Sequence, residues 1–338
     1  MTPVIFGLEG LSLTRTEHDF FRETRPFGFI LFGRNIADRQ QLQRLTSELR
    51  ALTGNDQLPI LIDQEGGRVA RMQAPQWAAY PPAATFEVLY RRNREWGLEA
   101  CTLNYEALAL DLAEVGISVT CAPVLDVPVV GAHDVIGDRA FSQDSSSVAA
   151  LGRACLAGLS AGGAEGVVKH IPGHGRSVVD SHLELPRVVA GQAELERDLA
   201  PFKALNDASM AMTAHVIYET WDSQHCATLS EEVIGHVIRK TVGFDGLLMT
   251  DDLDMKALSG DIGDLAAQSQ AAGCDVVLNC WGKMNDMESI VKKMRSPTPQ
   301  TLTRMRRVND RLAKAASSVT ISERQRALTA RRDALLAS

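Results

Sequence analysis

Short, nearly continuous apolar runs recur along the chain: Val4–Leu8, Gly28–Phe32, Pro59–Asp63, Ser118–Val124, Glu165–His170, Ser209–His215, Gly246–Asp251 and Cys274–Asn279. Unbroken runs of this length, rather than alternating ones, are expected of parallel strands covered on both faces. Between them the pattern shifts to a helical period. It predicts helices near Glu17–Glu23, from an Asp38 N-cap to Leu52, and over Trp96–Val115, Ser146–Ala161 and Glu194–Asn206. From Pro297 the chain is charged and alanine-rich, and it predicts two more helices, Thr301–Ala316 and Glu323–Leu336. Strands alternating with helices imply βαβ units with right-handed crossovers, hence an α/β fold. Eight such units imply a (β/α)8 TIM barrel. The rival, an open doubly wound sheet, lacks its Gly-x-Gly-x-x-Gly signature after the first strand, and here polar residues end nearly every strand rather than a central pair. No repeat or linker divides the chain, so a single domain over 1–338 is expected, with C-terminal helices from about residue 300.

Composition narrows the function. The 338 residues are 45% hydrophobic, enough for a large core, and 35 basic against 42 acidic residues leave a net charge of −7. Without a basic run, nucleic acid is not expected as a partner. The six cysteines, at 101, 121, 155, 226, 274 and 280, form no Cys-x-x-Cys pair and read as small buried hydrophobes. The opening Met1–Gly7 lacks the basic and apolar stretches of an export signal, and no apolar run is long enough to span a bilayer. A cytoplasmic protein with no membrane partner is expected.

Candidate chemistry lies at the strand ends, which share one mouth in a barrel. Reading them gives Asp63, Asp126, Lys169 with His170, His215, and Asp251 with Asp252; Arg68, Arg71, Arg139, Asp180 and His182 lie in the loops that follow. Three of the eight histidines fall between Lys169 and Pro186, around a loop built on Pro172, Gly173 and Gly175. A buried strand ending in Lys-His is costly unless those groups are paired. Each residue also has a plain structural reading. Asp126 suits a partner for a neighbouring cation, His215 a satisfied core histidine, Glu65 and Arg68 an ion-pair network holding their loop, and Gly66-Gly67 a tight turn. Asp63 and Arg71 read as ligands, because a carboxylate accepts two hydroxyls at once and a guanidinium donates through a rigid fork. Asp251 continues its strand and reads as a nucleophile, with Asp252 on the helix side; adjacent acids also fit a metal site.

Lys169-His-Ile-Pro-Gly-His-Gly175, then Asp180-Ser-His182 and Pro186, resembles the hallmark of the bacterial β-N-acetylglucosaminidases of glycoside hydrolase family 3. Asp63–Arg71, Ile136–Phe141 and Thr250–Leu253 resemble the family's other motifs in the same order, so the resemblance spans about Val4 to Asn279. Ile171 stands where phenylalanine is usual, and Thr250 where serine is usual.

The resemblance implies a catalytic set of Asp251 as nucleophile and His182 as general acid/base paired with Asp180, on a mobile loop. It also implies that Asp63, Arg71, Arg139, Lys169 and His170 bind a terminal GlcNAc, with no cofactor and no metal. The implied substrate is a small-molecule muropeptide fragment, GlcNAc β-1,4-linked to 1,6-anhydro-N-acetylmuramic acid with or without its stem peptide, cleaved by a monomer in cell-wall recycling. A histidine acid/base makes physical sense, since it does not repel an anionic nucleophile and titrates near operating pH. The alternatives are a phosphorylase or β-glucosidase on the same fold, a metal-dependent hydrolase using Asp63, His170, His215 and Asp251, and a sugar-binding protein without catalysis.

Overall fold

The computed structural model describes residues 1–181, 183–315 and 321–338. Its centre is a closed barrel of eight parallel strands: β1 (Thr2–Gly7), β2 (Pro26–Leu31), β3 (Ile60–Ile62), β4 (Val119–Thr120), β5 (Glu165–Ile171), β6 (Met210–Thr213), β7 (Leu247–Asp252) and β8 (Val276–Asn279). Each strand pairs with its sequence neighbours, and β1 closes on β8 through Val4–Val277, Ile5–Leu278 and Phe6–Asn279. Every expected apolar run supplies a strand. The fourth is shorter than its run, because the ladder ends at Thr120 and resumes only as a bridge from Val124 to Lys169.

The surrounding helices are α1 (Arg15–Thr24), α2 (Arg39–Thr53), α3 (Ala84–Arg92), α4 (Arg94–Glu114), α5 (Ser145–Ala161), α6 (Gln192–Ala204), α7 (Ile262–Ala272), α8 (Met284–Lys293), α9 (Pro299–Ala315) and α10 (Ile321–Leu336), with a π-helical segment at Val233–Val242. Local chemistry sets their starts. Asp38 caps α2 by accepting from the Gln41 N–H, Asp144 caps α5 through the Ser147 N–H, and Thr14 and Glu17 form a capping box on α1. The periodic pattern does not predict α3, α7, α8 or the π segment. Helix α3 follows a proline-rich connection, and its cap residue Ala83 makes no side-chain bond.

Two cores result. Side chains inside the barrel, among them Ile5, Ile30, Leu61, Val119, Val167, Met212, Met249 and Leu278, form one buried cluster. Met305, Val308 and Leu312 of α9 join it, at helical spacing, and plug the N-terminal end. The outer core packs strands against helices. Helix α4 is apolar around most of its circumference because α5 and α10 both lie against it. All six cysteines are buried and free, and among the described residues no helix is long and apolar enough to cross a membrane.

The plug is held by a buried carboxylate. Asp275, just before β8, accepts from Arg239 (2.7 Å), Arg304 (3.0 Å), the Thr301 hydroxyl (2.9 Å) and the Leu248 N–H (3.0 Å). Asp275→Ala leaves two guanidiniums facing a cavity, and loss of one partner of a buried charge group costs about 3–5 kcal/mol. Denaturant unfolding should show that loss, whereas removing an exposed pair such as Lys293–Asp264 should leave the midpoint almost unchanged.

Candidate active site

The C-terminal ends of the strands surround a cleft of about 390 Å³. Asp63, Arg71, Arg139, Lys169, His170 and Asp251 all line it, so six of the eight residues singled out from sequence converge in space. Asp180 lies in the loop after β5, partly buried, and its carbonyl accepts from the Leu183 and Glu184 N–H groups; it is not among the residues lining the cleft. His182, the expected acid/base, lies outside the described residues.

One wall is an ion-pair network. Asp63 follows β3 directly, and the chain then folds back as a two-stranded ribbon, Gln64–Gly66 against Val69–Ala70. Gly66 and Gly67 make the turn at φ +97° and +57°, and a Cβ on Gly67 would meet the Pro82 ring at 2.6 Å. The Gln64 side chain ties the ribbon by accepting from the Arg71 and Met72 N–H groups at 2.8 and 3.0 Å. Arg71 is thereby returned to Asp63, at 3.2 Å. Lys169 bridges Asp63 (3.2 Å) and Glu65 (2.6 Å), and Arg139 grips Glu65 with two nitrogens, both at 2.8 Å. Burial alone would raise the Glu65 carboxyl, but Lys169 and Arg139 outweigh it and hold the group at about 2. Asp63 is likewise lowered against its burial by Lys169 and Arg71. Burial works against the Lys169 ammonium too, and the two carboxylates keep it charged.

Glu65 is therefore the internal ion-pair partner its sequence suggested. So is Arg68, which reaches Asp138 (3.1 Å) and the carbonyls of residues 134–136 and holds the loop carrying Arg139. Asp126 serves a neighbour in the same way. It is fully buried, meets His170 Nδ1 at 2.7 Å, and accepts from the His170 and His174 backbone N–H groups at 3.1 and 2.7 Å. Burial pushes its carboxyl up, yet His170 and these bonds bring it to about 2. His215 is a satisfied core histidine, between Thr228 Oγ1 (2.7 Å) and the Asp252 carbonyl (3.0 Å).

The facing wall is the end of β7. Asp251 presents a carboxylate to the cleft and accepts from the Asp252 N–H at 2.8 Å. Burial opposes its charge, but His170, His215 and this N–H lower its pKa below the usual carboxylate value. Asp252 behaves oppositely. It is buried, accepts from the Cys280 and Asp254 N–H groups, and burial raises it to about 6. Adjacent acids are thus split by environment into an ionised group and one that holds a proton below about pH 6.

That split has a measurable consequence. Between an unfolded value near 3.8 and a folded value of about 6, the folded state binds the extra proton, so this group's contribution to stability is present at low pH and is lost as pH rises through 6. Asp252→Asn should flatten that part of the stability–pH curve. Melting temperature measured from pH 4 to 8 on both proteins checks it; parallel curves would contradict the shift.

Several lining residues were not marked as candidates from sequence. His174, buried, meets Ser181 Oγ at 3.0 Å through Nε2 and packs its ring edge-on to His170. Burial, then His170, lower it to about 4, so it is neutral at pH 7. Ser181 lies between Asp180 and His182, so this bond anchors that loop to the end of β5. Phe32 and Trp281 follow β2 and β8 and also line the cleft. A reading of strand ends that counted aromatics as well as ionisable groups would have marked both.

The chain matches the family described as "Glycosyl hydrolase family 3 N terminal domain" over residues 13–311. It is 37% identical to the beta-hexosaminidase of Bordetella avium over 312 residues, 90% of this chain and 87% of that one. The beta-hexosaminidase of Thioalkalivibrio sulfidiphilus is 36% identical across 95% and 92%. Native NagZ from Neisseria gonorrhoeae superposes with a TM-score of 0.86 at 30% identity, covering 98% of this chain and 97% of that one. The same enzyme in complex with N-trifluoroacetyl-D-glucosamine matches equally well. A closed parallel barrel with these relatives is a glycoside hydrolase, and the chain belongs to glycosyl hydrolase family 3. Its activity is that of a β-N-acetylhexosaminidase.

Proposed function

We propose that this hexosaminidase is a retaining exo-β-N-acetylglucosaminidase that removes terminal GlcNAc from muropeptide fragments, GlcNAc-β-1,4-1,6-anhydro-N-acetylmuramic acid with or without its peptide, in cytoplasmic cell-wall recycling. The whole chain acts as one barrel domain and as a monomer. The observation that carries the mechanism is the contrast among carboxylates. Asp63 and Glu65 are neutralised by Lys169, Arg71 and Arg139, whereas Asp251 is ionised, faces the cleft and is held by a backbone N–H. An anion left available beside fixed donors is what nucleophilic displacement at an anomeric carbon needs.

In the first step Asp251 Oδ attacks the anomeric carbon, the glycosidic bond breaks, and His182 gives its proton to the leaving oxygen. In the second, His182 takes a proton from water, whose oxygen displaces the aspartate ester with net retention. Asp63, Arg71, Arg139, Lys169 and His170 bind the sugar hydroxyls and the acetamido group, and Asp180 orients the histidine.

The test compares release of p-nitrophenol from its β-N-acetylglucosaminide and β-glucoside with cleavage of the anhydromuramyl disaccharide. Turnover of both acetamido substrates, with the glucoside inert and EDTA without effect, supports the proposal. Cleavage of the glucoside alone, loss of activity in EDTA, or a requirement for phosphate would overturn it.

A further inference from the structure

Trp281 stands out on the rim of the cleft. It lines the cavity yet is 55% exposed, on a chain whose aromatic residues are mostly core. It is also held firmly. Cys280 donates its N–H to Asp252 Oδ1 at 3.1 Å, tying the segment to the end of β7. On the other side Gly282, at φ +69°, brings the chain against Leu8, where a Cβ would meet backbone at 2.6 Å. Arg34 backs the indole, with its guanidinium carbon 5.7 Å from the Trp281 ring and 4.9 Å from Phe32. The Leu8 and Cys280 carbonyls accept from Arg34, the former at 2.8 Å, which fixes the guanidinium plane. Arg71 covers Phe32 at 5.5 Å, so the stack continues to the residue that pairs with Asp63.

The position of this platform defines what it faces. In the barrel order β8 lies across from β4, whose neighbours β3 and β5 carry Asp63 and Lys169. Lys169, Glu65 and Arg139 therefore stand across the mouth from Trp281, Arg71 reaches back along the rim to Phe32, and Asp251 lies at the end of the strand next to β8. A sugar whose hydroxyls engage the polar network and whose anomeric carbon reaches Asp251 sends its substituent toward the rim. An exposed, immobilised indole is a stacking surface for the apolar face of a pyranose ring.

We propose that Trp281, backed by Arg34 and Phe32, forms the leaving-group subsite, and that it takes the ring of a second pyranose. This inference rests on the placement of the chemistry at Asp251.

The test uses two donors of the same GlcNAc unit, the β-1,4 disaccharide of GlcNAc and N-acetyl-β-glucosaminyl fluoride, whose leaving group has no ring. For Trp281→Ala the ratio of kcat/KM on the disaccharide to that on the fluoride should fall about tenfold, the scale of one stacking contact. Trp281→Phe should restore most of it. An unchanged ratio, whether both rates hold or both fall together, would overturn the subsite. Asp251→Ala run beside them separates the two ideas: if it is inactive on both donors while the ratio is unmoved, only the subsite fails, and if it stays active on the fluoride, the catalytic placement fails first.

Discussion

Asp251→Ala is expected to reduce turnover of N-acetylglucosaminides by on the order of 10⁵-fold, the scale of losing a covalent nucleophile. The loss should appear in kcat, and the variant should still bind product, because the proposed GlcNAc-binding groups Asp63, Arg71, Arg139 and Lys169 are tied to one another and to Glu65, not to Asp251. Its fold should persist, since Asp251 accepts one backbone bond while the neighbouring Asp252 carries those to Cys280 and Asp254. Single-turnover kinetics and product binding by calorimetry check both halves. A variant retaining a tenth of the activity would exclude nucleophilic catalysis at this position.

His182→Ala is the second large effect, expected at roughly 10²–10⁴-fold on the natural-type disaccharide, the usual contribution of general acid–base assistance. The defect should shrink on substrates whose leaving group needs no proton, such as p-nitrophenolate. It should also remove one limb of the pH–rate profile, because the group that titrates is gone. Equal losses on both leaving groups would point to a binding role instead. His174, which anchors this loop through Ser181, is held at about 4 by burial and His170, so its protonation does not contribute to that limb at neutral pH.

The barrel was legible because each strand buries both faces and so appears as an unbroken apolar run, from Val4–Leu8 to Cys274–Asn279. Helices with a side-chain cap and an apolar stripe were legible too, α2 with Asp38 among them. Helix α3 lacked a side-chain cap, and the Val233–Val242 segment departs from α-helical hydrogen bonding. Helices α7 and α8 do carry local signals, the Asp261 cap of α7 and an apolar face on α8, but these are weaker than the strand runs beside them.

In the cleft, charge at strand ends was a sufficient signal for Asp63, Lys169, His170 and Asp251. What sequence did not fix was which charges neutralise which. Glu65 turned out to anchor both Lys169 and Arg139, and Asp126 to serve His170, because those pairings depend on a ribbon and a loop that bring together residues 74 positions apart in Glu65–Arg139 and further still in Glu65–Lys169. Trp281 and Phe32 escaped notice because an aromatic next to a strand reads first as core; only the exposure of Trp281 sets it apart.

The most direct test of the mechanism is to trap its intermediate. A fluorinated N-acetylglucosaminyl fluoride, which reacts with the nucleophile but leaves the ester slow to hydrolyse, is incubated with the enzyme, and the digested protein is read by mass spectrometry. The account predicts one added sugar on the peptide spanning Thr250–Leu253, located to Asp251. Time-dependent inactivation with the sugar on another residue, or turnover through a free oxazoline with no adduct, would contradict it.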